Sequence, residues 1–293
     1  MRSAAGGLTK GGLTSGAPAH LESAIPDGWE PQQYDRFRSE RTAPFNDLLQ
    51  LVRPAPGGSA VDLGCGTGDL TVVLHEHLGA ASTVGIDSSS EMLARAERLD
   101  VGGVRFCAGD IASFAPVTAY DVVMGNASLQ WVPDHEHVLA RWTGALRPGG
   151  QLAVQVPANA DHPSHLVSAA LAESEEFAHA FDGDPPPDPV LSVLSPERYA
   201  VCLEHLGFED QHVRLQVYGH RLTSSAEVVE WVKGTSLTRF RRALSDEMYE
   251  RFLERYRSRL LEALGDRRPY FYPFKRILLW GRLPRGGSNA EAS

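Results

Sequence analysis

At 293 residues and 42% hydrophobic content, the chain is long enough for one large domain or for a domain carrying a cap. A net charge of −9 argues against a broad basic surface for nucleic acid, and no apolar run reaches the roughly 18 residues that would span a membrane. The three cysteines, Cys65, Cys107 and Cys202, form no C-x-x-C pair, so neither a disulfide framework nor a thiolate zinc site is expected and a reducing cytoplasm fits.

Residues 1–26 are rich in Gly, Ala, Ser and Thr, have no signal-peptide core, and read as a disordered leader. Helices follow over residues 29–51. Tyr34, Phe37, Arg38 and Arg41 fall at helical spacing there, and Phe45, Leu48, Leu49 and Val52 make an apolar stripe. The run Pro54-Ala55-Pro56-Gly57-Gly58 ends the pattern. Residues 60–63 then read as a buried strand, followed by Gly64, Gly66 and Gly68 and a helix over 70–78. A second strand, 82–86, ends in Asp87. Ser88-Ser89-Ser90 offers N-caps for a helix turning Met92, Leu93 and Ala96 inward. A third strand, 104–108, closes on Gly109-Asp110, and a fourth, 120–125, on Asn126. A helix over 138–146 stops at Arg147-Pro148-Gly149-Gly150 and leads into a fifth strand, 152–156. Strands alternating with helices imply a mostly parallel sheet covered on both faces.

After Pro157 the rhythm changes. Helices are expected over 165–181 and 196–206 with a proline-rich loop between them, then a strand over 213–222. Two long helical patterns, 226–244 and 246–264, precede a last strand at 277–283 and a polar tail at 286–293. The fold class is α/β: a doubly wound, mostly parallel seven-stranded sheet with a helical lid. A cofactor-binding core covers 27–158. Residues 159–285 supply the rest of the sheet and the lid, at about 159–207 and 223–268. Nothing in the pattern specifies an oligomeric state, and no repeat is evident.

The loop between the first strand and its helix carries the chemistry. Glycine is needed where backbone turns sharply or approaches a ligand without a Cβ in the way. The dinucleotide fingerprint G-x-G-x-x-G would place its last glycine at position 69, which is Asp69. The run from Asp62 is instead D-x-G-x-G-x-G, with Cys65 between the first two glycines. That pattern resembles motif I of the class I S-adenosylmethionine (SAM) methyltransferases. A carbonyl- and carboxylate-lined loop suits the ammonium of the methionine end. Asp87, about 20 residues past the glycines, stands where a ribose diol is gripped by a carboxylate.

Further segments are more specific. Asn126-Ala127-Ser128-Leu129-Gln130-Trp131-Val132-Pro133-Asp134-His135 resembles the trans-aconitate 2-methyltransferase family. So do Tyr34, Phe37, Glu40, Arg41 and Pro44; Gln155-Val156-Pro157 with Asn159; Trp231-Val232 with Thr235; and Tyr272-Pro273-Phe274-Lys275-Arg276. The resemblance covers residues 29–283. Two features depart from it: the long leader, and Arg239, one place later than the family's arginine. The resemblance implies SAM as cofactor, with Asp62, Gly64, Cys65 and Gly66 at its methionine portion and Asp87 and Ser88 at its ribose. Met92, Asp110 and Ile111 would attend the adenine, and Asn126 and Ala127 the sulfonium end. For Asp110 a turn cap is the alternative.

The implied reaction esterifies one carboxyl of trans-aconitate, giving a monomethyl ester and S-adenosylhomocysteine. A carboxylate is already a nucleophile at neutral pH, because its pKa lies near 4. No catalytic residue and no metal are therefore expected. The acceptor's charge calls for arginines, whose planar fork pairs carboxylates. Candidates are Arg38, Arg41, Arg239, Arg242, Lys275 and Arg276, with Tyr34, Trp131, Gln155 and Tyr270 completing the pocket; for each cation a solvated helix face is the alternative. Asp134 is expected to cap a helix. The pairs His75/His77 and His135/His137 mimic metal ligands but point to different sides of a helix, and they read as surface histidines. Two rivals stay open: the same fold acting on another acidic acceptor, such as an acyl thioester, and a non-catalytic SAM-binding protein.

Overall fold

In the computed structural model, residues 38–116 and 120–286 are described. The leader and Tyr34 lie outside the described residues, as do the side chains of Arg38 and Arg41. The first helix, α1, covers Arg38–Leu49. The alternating part follows in order: β1 (Ser59–Leu63), α2 (Asp69–Leu78), β2 (Ser82–Asp87), α3 (Ser90–Ala96), β3 (Val104–Ala108), β4 (Tyr120–Asn126), α4 (His135–Gly144) and β5 (Leu146–Pro157). The second part runs α5 (Pro163–Ala172), α6 (Glu175–Ala178), α7 (Pro196–His205), β6 (Asp210–Leu222), α8 (Glu227–Lys233), α9 (Thr238–Ala243), α10 (Asp246–Leu264) and β7 (Tyr270–Arg282).

The strands form one seven-stranded sheet in the order β3-β2-β1-β4-β5-β7-β6. The first five are parallel, and β7 runs antiparallel between β5 and β6. The chain winds outward from β1 in one direction, then restarts at β4 in the other. This reversal opens a crevice past the carboxyl ends of β1 and β4, where doubly wound sheets bind ligands.

The period-2 alternation of the strands sorts their side chains onto two faces. Ala60, Val122, Met124, Ala153, Leu278 and Trp280 pack with Phe45 and Leu48 of α1 and Leu74 and Leu78 of α2. Val61, Leu63, Val123, Leu152, Val154, Ile277 and Leu279 pack with Leu139 and Trp142 of α4 and Tyr199 and Leu203 of α7. A third cluster joins α5 and α8–α10 to the outer halves of β6 and β7, with Phe177, Phe240, Phe252 and Tyr256 at its centre.

Several expected elements differ. The helix expected over 226–244 is two helices, α8 and α9, broken at Gly234, Thr235, Ser236 and Leu237. The helix expected over 165–181 ends at Ala172, where the Ser174 hydroxyl takes the Leu171 carbonyl. Strand β7 starts seven residues early, at Tyr270, because it pairs with β6 from Leu222↔Tyr270 through Asp210↔Arg282. His135 is not a surface histidine. It opens α4 with its ring buried, Nδ1 lying 2.6 Å from the Tyr199 hydroxyl of α7. Asp134 caps that helix, accepting from the His137 amide.

Candidate functional site

The glycine loop is folded onto the end of β2. The Gly64 and Cys65 amides donate to the Ile86 carbonyl at 2.7 and 3.0 Å, and the Gly66 amide donates to Asp87 Oδ2 at 2.8 Å. Gly64 has φ +80°, and a Cβ there would lie 2.3 Å from the Ser128 Cβ. That close approach is used, since the Ser128 hydroxyl donates to the Leu63 carbonyl at 2.6 Å and pins the end of β4 against the end of β1. Gly66 also has positive φ, but a Cβ on it would meet no protein atom within 4 Å. The loop is thus closed underneath and open above.

Above it lies a cavity that opens to solvent. Gly64, Gly66, Asp87, Ser88, Met92, Ile111, Asn126 and Ala127 form one side. Trp131, Gln155, Pro157, His165, Asp188, Trp231, Thr235, Ser236, Phe274 and Arg276 continue it into the second part of the chain. Asp87 Oδ1 accepts from the Ser89 amide at 2.9 Å, so each carboxylate oxygen holds one backbone N–H and keeps acceptor capacity for a ligand. Asn126 Oδ1 and Gln155 Nε2 are buried and have no hydrogen-bond partner among the described residues. Buried polar atoms are almost always satisfied, so two such atoms on one cavity wall mark where a ligand's polar groups fit. Ala127, at φ 54°, occupies the left-handed region without being glycine. Its amide donates to the Gln155 carbonyl and its carbonyl accepts from Gln130 Nε2, which together hold it there.

On the far side, Arg276 is buried. It donates to Gln155 Oε1 at 3.1 Å and lies over the Phe274 ring, 4.9 Å from the centroid. His165 Nδ1 and an Arg239 nitrogen both meet Asp188 Oδ2, at 2.8 and 2.7 Å. Burial would raise the Asp188 carboxyl, but the His165 hydrogen bond and charge, with Arg239, overcome it and hold the group at about 2. Burial and the neighbouring His165 push the His162 imidazole down to about 4.

Eleven of the sequence-nominated residues are brought to this cavity: Gly64, Gly66, Asp87, Ser88, Met92, Ile111, Asn126, Ala127, Trp131, Gln155 and Arg276. Others are placed elsewhere. Asp62 is buried beneath the loop, where it accepts from the Thr71 hydroxyl at 2.6 Å. Cys65 turns under the loop toward Gly85, and its thiol is pushed up by burial. Asp110 accepts from the Ala112 amide at 2.9 Å, a turn cap. Arg239 spends its charge on Asp188 and stacks over Phe240, 4.4 Å from the ring centroid. The Tyr270 hydroxyl lies 3.4 Å from His162 Nε2, away from the lining. His165 and Asp188 were not nominated. The available signal was a histidine on the apolar face of a helix, which by itself suggests only a buried ring.

A family model described as a methyltransferase domain matches residues 55–205. The trans-aconitate 2-methyltransferase of Deinococcus radiodurans is 40% identical over 257 residues, covering 87% of this chain and 98% of that protein. That of Mycobacterium sp. (strain KMS) is 38% identical over 260 residues, covering 87% and 99%. Among solved structures, the YcgJ protein of Bacillus subtilis superposes with a TM-score of 0.54 at 12% identity, covering 84% of this chain and all of that one, which shows the shared fold. With identity of this level running across nearly the full length of such relatives, the chain belongs to the trans-aconitate 2-methyltransferase family.

Proposed function

We propose that the chain transfers a methyl group from SAM to a carboxylate of a small polycarboxylic acid, trans-aconitate, releasing the monomethyl ester and S-adenosylhomocysteine. The observation that carries this reading is a single cavity joining the Asp87 strand tip to buried Arg276. The residues present fit the cofactor. Asp87 retains acceptor capacity for a diol, Gly66 leaves room for close approach, Met92 and Ile111 offer an apolar slot, and Asn126 Oδ1 awaits a donor. When bound, SAM supplies an electrophilic methyl on a sulfonium.

The chain's own part is to bind, orient and exclude water. A carboxylate needs no base to attack, so catalysis reduces to holding its oxygen in line with the methyl at roughly 3 Å. Arg276, fixed by Gln155 and Phe274, is the group we assign to the acceptor's charge. The helices α5 and α8–α10 act as the acceptor lid, their buried aromatics lowering the local dielectric and strengthening attraction between anion and cation. We place the protein in the cytoplasm, acting on a small molecule rather than on nucleic acid or membrane. In support, the chain carries a net charge of −9, and among the described residues no helix is long and apolar enough to cross a membrane.

The test is incubation with labelled SAM and a panel of mono-, di- and tricarboxylic acids. Trans-aconitate is expected to be methylated best. Turnover of a mono-acid without turnover of trans-aconitate would overturn the acceptor.

A further inference from the structure

A reaction that needs no general base leaves one part of the cavity unexplained. His165 of α5 and Asp188, in the loop before α7, both line it, and they form a hydrogen-bonded imidazole–carboxylate pair at 2.8 Å. Asp188 is fully engaged. Its Oδ1 accepts from the Val190 amide at 3.2 Å, and its Oδ2 takes both His165 and Arg239. Arg239 is itself held by the Ser168 hydroxyl at 3.3 Å and by the Phe240 ring. The charges of Arg239 and Asp188 offset each other, and Arg239 does not itself line the cavity. The imidazole remains as the polar group of this trio with a second nitrogen to offer.

We propose that His165 is a specificity-determining residue: it binds a carboxylate of the acceptor other than the one methylated, with Asp188 and Arg239 as its positioning residues. This rests on the reading of the chain as a polycarboxylate methyltransferase. With Nδ1–H donated to Asp188, Nε2 can donate only when the ring is a cation. Binding a carboxylate there therefore needs the doubly protonated ring, and acceptor affinity falls as pH rises.

The other charged and titratable groups around the ring are accounted for. His162 on the same segment is held neutral by burial and by the charge of His165. Asp161 is paired with Lys275 at 2.5 Å. The phenols of Tyr256 on α10 and Tyr272 on β7 are pushed up by burial and stay protonated. Arg276 across the cavity is a fixed cation.

The test uses the full chain and steady-state kinetics with trans-aconitate and with a monocarboxylic acid of similar length, from pH 6 to 8.5. For His165→Ala, KM for trans-aconitate at pH 6.5 is expected to rise about tenfold or more. The fall in kcat should be smaller, and KM for the mono-acid should change less than twofold. His165→Gln, which can still donate to Asp188 and fill the space, should show a KM for trans-aconitate that no longer depends on pH. Thermal melting and calorimetry with SAM verify that both variants are folded. Equal KM rises for both acids, or a loss in kcat alone, would overturn the proposal and point to a structural role or a general base. If the unaltered chain methylates a different polycarboxylate, the same comparison on that acid tests His165. If it methylates no carboxylic acid, the acceptor reading and this proposal fall together, whereas turnover with unchanged KM in the variants defeats His165 alone.

Discussion

Asp62 sits beneath the glycine loop, and its burial, opposed by the Thr71 hydroxyl and reinforced by the charge of Asp87, pushes its carboxyl up to about 6. The folded chain therefore binds a proton there more tightly than the unfolded chain, whose aspartate titrates near 3.8. Its contribution to stability is greatest below pH 3.8, declines as pH rises to about 6, and stays low above that. A rise of this size corresponds to about 3 kcal/mol at pH 8. Asp62→Asn keeps an acceptor for Thr71 and removes the buried charge. It should stabilise the unliganded chain by up to about 3 kcal/mol at pH 8 and by roughly half that at pH 5. Thermal melts at the two pH values decide it, and a pH-independent change would refute the assignment. Asp87 behaves differently, because it faces the cavity. Asp87→Ala should weaken SAM binding by about 1–3 kcal/mol in calorimetry, if its carboxylate is the diol's acceptor as proposed. Both acids were visible in the sequence, Asp62 at the head of the D-x-G-x-G-x-G run and Asp87 at the end of the second strand, but only one lines the cavity. Position along a strand tells where a residue lies, and period-2 alternation decides which way it points. Ala60 and Asp62 share the face covered by α2, so Asp62 ends against Thr71. Arg239 was misread for a related reason: spacing shows a cation on a helix but not the Asp188 that neutralises it from a loop 51 residues earlier.

Among the elements, the alternating half was legible because each strand is a short apolar run ended by Gly, Asp or Asn, and each helix shows one buried stripe. The second half was harder. Pro273 and the pair Lys275-Arg276 read as loop, yet they lie within β7. Proline is tolerated because β5 stops pairing at Pro157↔Arg276, so at Pro273, opposite Gly219 of β6, no strand on the other side needs its missing N–H. The break between α8 and α9 was hidden because buried apolar residues resume directly after it at Leu237, Phe240 and Leu244, although Thr235 and Ser236 in the break line the cavity. The glycine loop gives an element-level prediction in two halves. Gly64→Ala must displace Ser128 and adopt a left-handed backbone, so it should lower both stability and SAM affinity. Gly66→Ala pays only the backbone term, about 1–2 kcal/mol, because its Cβ points into open space. That space is the cavity, so the variant should melt only a few degrees below the parent and lose SAM binding. Melting and calorimetry on both variants check this; if Gly66→Ala bound SAM normally, the loop would not be the cofactor's seat.

At the scale of the whole molecule, the three hydrophobic clusters divide the work. Two sandwich the sheet and fix the strand tips that border the cavity, while the third packs the helices of the second part around Phe252, which is fully buried between Phe177 and Phe240. The cavity wall drawn from the first half carries Asp87 and Asn126. The wall drawn from the second half carries His165, Trp231 and Ser236, with Arg276 where β7 passes from one region to the other. If cofactor and acceptor are divided in this way, loosening the lid should damage one ligand more than the other. Phe252→Ala removes a fully buried aromatic and should cost about 3–5 kcal/mol of stability. The surviving folded chain should bind SAM within about threefold of the parent, because Phe252 belongs to a cluster that includes no residue of the first wall. Its KM for the acceptor should rise at least tenfold, because α5 and α9, which carry His165 and Arg239, lose the packing that sets their spacing. Denaturant unfolding, calorimetry with SAM and acceptor kinetics on one preparation measure all three quantities. A SAM Kd that rose in step with the acceptor KM would mean that the lid and the strand tips form one cooperative site, and the division of labour drawn from the clusters would be wrong.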